Sequence, residues 1–241
     1  MLTALDNNKK IFASETDERK NYYCPYCKNI VRLWKPSSKI DHFKHKTKKD
    51  CAPEPETKEH HQGKKYLYDL LNKSYDTVIL EPTCFLQYGF KPDIYVEDKN
   101  YNIMIEYQCS PITRNEIIRR TKAYTKHGMY TLWILGIKKF DVVFNGVRKV
   151  KDMEKQLHQM FFGWVYYLGN DMLFRQKFKS FSKMKYANDY AARHFGACDH
   201  EYFYKTKREI VDVEYFDSMH LIVNFNNWKN NSFNIATLCE R

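Results

Sequence analysis

Residues 92–108 read PDIYVEDKNYNIMIEYQ, and this stretch decides the fold. Two β-rich runs, 92–97 and 102–108, flank the turn-forming tripeptide Asp98-Lys99-Asn100, which predicts an antiparallel hairpin. Side chains alternate across a strand, so Met104, Glu106 and Gln108 take one face while Ile103, Ile105 and Tyr107 take the other. A carboxylate among isoleucine and methionine is costly to bury unless something offsets its charge. The hairpin can bring Asp93, which opens the first strand, near Glu106. Two close carboxylates invite a hard divalent cation such as Mg²⁺, or Mn²⁺ in its place. Gln108 then sits where a polar side chain could orient a water beside that metal, and Glu81 on the preceding strand is a candidate third acidic group. The competing readings are a strand-start role for Asp93, a core Glu106 paired with Arg119 or Arg120, and a surface position for Glu81 ahead of Pro82.

Outward from the hairpin the pattern stays α/β. Upstream, residues 58–73 (KEHHQGKKYLYDLLNK) space Leu67, Leu70 and Leu71 as a helix does, and TVILEPTCFL (77–86) reads as a strand broken by Pro82. Downstream, Thr113 to His127 predicts a helix, with Thr113 and Glu116 as a capping-box pair and Gly128 as its stop. The run YTLWIL at 130–135 is a strand buried on both faces. Strand, hairpin, helix, strand is an α/β core in which the helix makes the crossover. Further on, residues 164–175 predict a second hairpin turning at Gly169-Asn170-Asp171, followed by basic, aromatic-rich sequence that is partly helical around 182–195.

The first 57 residues differ in kind. Cys24-Pro25-Tyr26-Cys27 is a knuckle whose two thiolates can grip one tetrahedral zinc. His42-Phe43-Lys44-His45 and Cys51 follow, so Cys24, Cys27, one histidine and Cys51 would close a structural Zn²⁺ site. His45 is the preferred histidine, with His42 as the alternative or as a DNA-facing group. Few apolar residues and many lysines mean that this segment needs such a staple to fold. CAPEPETKE (51–59) reads as the linker after it. The resulting division is a basic, zinc-finger-like segment at 1–57, a core at 58–150 and an extension at 151–241.

Composition sets the outer limits. Across 241 residues, 43% hydrophobic and 16% aromatic content exclude a disordered chain, and 8 glycines and 7 prolines exclude a fibrous one. No apolar run approaches the roughly 18 residues of a spanning helix, and MLTALDNNKKIFA lacks the apolar core of a secretion signal, so a soluble, cytoplasmic protein is expected. A formal charge of +11 points to a polyanionic partner, and nucleic acid is the commonest. Seven cysteines, an odd number, speak for metal binding or burial rather than a disulfide framework.

Pro92-Asp93, then Glu106-Tyr107-Gln108, resembles the PD-(D/E)xK nuclease core in the variant where glutamine replaces the usual lysine. The ordered string CPYC, HFKH, EHHQGKKYLYDLL, KPDIYV, IEYQCSPIT, RTKAYTKHG and WILG is more specific. It resembles the competence protein CoiA family, which joins a zinc-finger-like segment to a restriction-endonuclease-like domain. The likeness covers roughly residues 20–170. It implies Asp93 and Glu106 as metal ligands and Gln108 as the group that positions water or phosphate. It also implies functional places for Ser110, Arg120 and Tyr124, and for His60 and Lys64 four apart on the first helix. The implied activity is Mg²⁺-dependent hydrolysis of DNA phosphodiesters during DNA uptake or recombination, with Lys64 or Arg120 supplying the charge glutamine lacks. Two further readings stand beside it: a module that binds branched or single-stranded DNA with little or no cleavage, and a nuclease of anti-phage defence.

Overall fold

The structure of the protein, a computed structural model, describes residues 1–37, 40–46, 57–89, 91–98, 101–161, 163–179 and 207–216. Five strands open the chain: β1 (Thr3–Asp6), β2 (Lys9–Phe12), β3 (Tyr22–Tyr23), β4 (Ile30–Trp34) and β5 (His42–His45). They pair antiparallel in the order β2-β1-β3-β4-β5. The sheet closes on a small core of Ala4, Ala13, Tyr22, Cys24, Val31 and Phe43.

Helix α1 (Lys58–Leu71) starts at Thr57, whose hydroxyl accepts the His60 N–H, and buries Gly63, Lys64, Leu67 and Leu71. Strand β6 (Thr77–Leu80) stops short of Pro82, and Glu81 takes a left-handed backbone with φ of 48°. The expected hairpin is β7 (Ile94–Asp98) and β8 (Tyr101–Gln108), paired from Ile94–Ile105 to Asp98–Tyr101. Helix α2 (Arg114–Lys126) then crosses over to β9 (Tyr130–Gly136), which lies parallel to β8. Only half of the expected capping box forms: Thr113 accepts the Glu116 N–H, but the Glu116 carboxylate turns to Arg119 and Arg120 instead.

The chain continues through β10 (Val147–Lys149), α3 (Asp152–Met160), β11 (Trp164–Gly169), β12 (Met172–Phe178) and β13 (Lys207–Phe216). Eight strands form one mixed sheet in the order β10-β13-β12-β11-β9-β8-β7-β6, parallel only across β8–β9–β11. The fold is therefore mixed α/β, a mixed sheet flanked by helices. The second hairpin turns at Asn170 and Asp171, both with positive φ, as a tight hairpin turn requires. Its strands continue the same sheet because β11 lies beside β9. The helix expected around 182–195 falls outside the described residues. Among the described residues no helix is long and apolar enough to cross a membrane.

One close approach places α1 on β8. A Cβ built at Gly63 would lie 2.1 Å from Tyr107 Cε1 and 2.3 Å from its Cζ. Tyr107 is buried, so its ring cannot swing into solvent. Gly63→Ala is expected to destabilise the protein by about 1–3 kcal/mol, the usual range for overpacking a core, read as a lower urea midpoint at unchanged slope.

Candidate functional site

Strand alternation sorts the expected site residues onto two faces. Ile103, Ile105 and Tyr107 join the cluster that includes Leu67 and Leu71 of α1, whereas Met104 packs with Tyr124 of α2. Glu106 therefore faces α2. Its carboxylate accepts hydrogen bonds from the Tyr124 hydroxyl and from Arg120 Nη1, the latter at 3.1 Å. Of the two arginines weighed from sequence, the structure pairs Glu106 with Arg120. Glu116 steadies that arginine, accepting from Arg120 Nε at 2.7 Å and from Arg119 at 2.8 Å, and these bonds hold its carboxyl down at about 2.

Asp93 links the two faces. Continuing the Ile94–Ile105 register by one residue sets Asp93 opposite Glu106. Asp93 Oδ2 accepts the Tyr107 N–H at 2.9 Å, and His60 Nε2 lies 3.4 Å from it with its ring stacked on Tyr107. On the α1 face, Lys64 is 1% exposed and sits between two carboxylates, its Nζ 2.8 Å from Glu81 Oε1 and 3.6 Å from Asp93 Oδ1. His60 and Lys64 thus reach the Asp93 carboxylate together, from one side of α1.

Glu81 corrects an expectation. It is not a surface residue, being 3% exposed, its N–H donates to the Asp93 carbonyl, and its carboxylate oxygens are shared among several donors. They accept from the Leu2 N–H, the Thr3 N–H and the Thr3 hydroxyl (2.8 Å), as well as from Lys64. Lys10 Nζ donates to the Leu80 and Glu81 carbonyls nearby. Nothing local in the sequence signals the contacts with Leu2 and Thr3, which join residues 78 or 79 apart. Gln108 donates to the Ser110 carbonyl at 2.9 Å, which leaves its amide oxygen as an acceptor.

Burial pushes the Glu106 carboxyl up to about 7, aided by the Asp93 charge and opposed by Arg120 and Tyr124. The donors here, two carboxylates and the backbone, are all hard oxygens, which fit a divalent cation such as Mg²⁺ in kind. Their mutual repulsion is the kind of strain a cation relieves. A cleft of about 310 Å³ opens beside Glu106's partners, lined by Leu86, Gly89, Lys91, Arg119, Arg120 and Tyr124 among others. Its cations suit a phosphate backbone.

In the N-terminal sheet Cys24, Cys27 and His45 bring their ligand atoms within 4.8 Å of one another, with Cys27 Sγ 3.2 Å from His45 Nε2. Lys28 at φ 61° and the Lys28 N–H to Cys24 carbonyl bond close the knuckle turn. Two sulfurs and an imidazole could hold a metal of softer preference. His42 is elsewhere, its Nδ1 2.8 Å from the Ile40 carbonyl and its ring 5.2 Å from that of His61. Cys51 lies outside the described residues.

A mixed α/β protein with a buried carboxylate–lysine cluster and a separate cysteine–histidine cluster is the class these features define. The model of the competence protein CoiA nuclease-like domain matches residues 56–221, and that of the CoiA N-terminal domain matches residues 5–54. The chain belongs to the CoiA family. It is similar to competence protein CoiA of Bacillus subtilis (strain 168), at 32% identity over 121 residues. That match covers 49% of this chain and 32% of the relative, so it spans about a third of the relative's length. No solved structure matches the chain.

Two outcomes follow from this geometry. The folded chain keeps a proton on Glu106 that the unfolded chain loses, between about pH 4.5 and 7, so this group's contribution to stability falls as pH rises through that window. Glu106→Gln should therefore raise metal-free stability at pH 8 by of order 1–3 kcal/mol, with the gain vanishing near pH 4.5, as urea unfolding at several pH values would show. The purified chain should also carry about one equivalent of zinc or a similar metal by elemental analysis, and Cys24→Ser with Cys27→Ser should abolish it.

Proposed function

We propose that the chain is a metal-dependent DNA nuclease built on a restriction-endonuclease-like core. The observation that carries this reading is Lys64, a buried ammonium 3.6 Å from Asp93 in a motif whose usual lysine position holds Gln108. In this reading Asp93 and Glu106, with the Tyr107 carbonyl, hold Mg²⁺ or Mn²⁺. When bound, the cation supplies a water of lowered pKa and charge neutralisation at the scissile phosphate.

The chain's own residues do the rest. The Tyr107 N–H and His60 fix the orientation of Asp93. Arg120 and Tyr124 fix Glu106. Lys64, held by Glu81, supplies positive charge where it develops on the attacked phosphate. Gln108, anchored on Ser110, offers its amide oxygen to the attacking water. Lys91 and Arg119 in the adjoining cleft would seat flanking phosphates. Residues 1–57, stapled by Zn²⁺ at Cys24, Cys27, His45 and Cys51, would act as a basic DNA clamp, with 58–150 as the nuclease core and 151–241 as its extension. Membership of the competence protein CoiA family supports a role in competence, with DNA-uptake or recombination proteins as partners in the cytoplasm.

A second reading, a DNA-structure binder with little cleavage, is favoured by one observation: both Glu106 oxygens already have partners in Arg120 and Tyr124. Cleavage of supercoiled, linear, single-stranded and branched DNA with Mg²⁺ or Mn²⁺ separates the two. The nuclease reading expects Glu106→Ala and Asp93→Asn to abolish cutting while DNA binding persists. It expects Lys64→Met to lower kcat by about 10²–10³-fold, the range for losing one charge-stabilising group, with KM little changed. Tight binding with no cutting under either metal would leave the binder.

A further inference from the structure

The outer face of the N-terminal sheet pairs exposed aromatic surface with positive charge. Trp34 is 52% exposed and Tyr23 46%. Arg32 on β4 faces Lys44 on β5, both exposed, and Lys46 is exposed two residues further on. Among the described residues none of these three cations forms an ion pair, whereas Lys20 pairs with Asp6 and Lys35 with Asp41. Lys44 Nζ instead rests 4.2 Å above the Trp34 ring. Ile30, Arg32 and Trp34 make a row of about 13 Å along β4, and Tyr23 extends it onto β3 opposite Ile30.

We propose that this face binds single-stranded DNA, with unpaired bases stacked on Trp34 and Tyr23 and phosphates held by Arg32, Lys44 and Lys46. An aromatic ring on a sheet offers a π-face that an unpaired base can cover and a base inside a duplex cannot. The three cations match the charge of the strand's backbone. The face also runs to the carboxylates: His42, opposite Trp34, packs on His61, and the preceding His60 touches Asp93. A strand lying on this face is led towards the proposed catalytic groups. The inference rests on the nuclease reading only in naming DNA as the ligand.

The test is fluorescence anisotropy with a labelled oligothymidine and a duplex of equal length. It uses the full chain without added divalent cation, so the readout is independent of cutting. Trp34→Ala should weaken single-strand binding about tenfold, in the range for losing one stacked base. Trp34→Phe should keep most of the affinity, and duplex binding should change less than about twofold for either variant. Lys44→Gln should reduce the slope of log K against log salt by about 0.7, the value for one lost contact with a single strand. Unchanged metal content and circular dichroism would certify the fold. Equal loss on both DNAs, no loss on either, or no single-strand binding by the wild type would overturn the proposal. A chain that never cuts DNA yet shows the Trp34 dependence would retain the platform and lose the nuclease.

Discussion

A lysine with 1% exposure holds its charge only where carboxylates surround it, and Lys64 has two. Bringing an ammonium out of water costs several kcal/mol, which close acidic partners must offset. Glu81 does so at 2.8 Å, and it is itself held by the Leu2 and Thr3 amides and the Thr3 hydroxyl. The first strand of the N-terminal sheet, the end of β6, helix α1 and Asp93 thus meet at one shared ionic junction. Removing Lys64 or Glu81 would take a charged partner from the other in a site closed to water. The junction therefore constrains how the two sheets sit together and where α1 lies on β8.

The same junction divides labour among acidic residues close in sequence. Glu81 is enclosed by donors and serves to place Lys64. Glu106 is pressed by burial and by the Asp93 charge until its proton is retained to about pH 7. Asp93, its side chain 14% exposed just before β7, has His60 and Lys64 of α1 and the Tyr107 N–H within reach. Environment, not residue type, separates these roles. Depth, donor count and neighbouring charge differ at each position.

The hairpin, the crossover helix and the doubly buried β9 were legible because each rests on local periodicity, turn chemistry or a cap. Pairing of Asp93 with Glu106 was legible for the same reason: a hairpin register, once set, carries its neighbours with it. The knuckle at Cys24 and Cys27 was legible from spacing. So was the preference for His45: it joins the two thiolates, while His42, three residues away on the same strand, leaves by the opposite face. Glu116 was read as a cap partner, yet an arginine one turn along competes successfully for its carboxylate.

What the amino-acid sequence determined alone is the α/β order, the hairpin carrying Asp93 and Glu106, the cysteine knuckle and the basic balance of charge. These depend on neighbours within a few residues or on composition. Tertiary structure alone decided that Glu81 is buried at a junction rather than on the surface, that Lys64 stands beside Asp93, and that the hairpin at β11 and β12 extends the core sheet. Such contacts join residues tens of positions apart. Their energies arise only when distant segments are buried together and the cost of removing charge from water must be met on the spot.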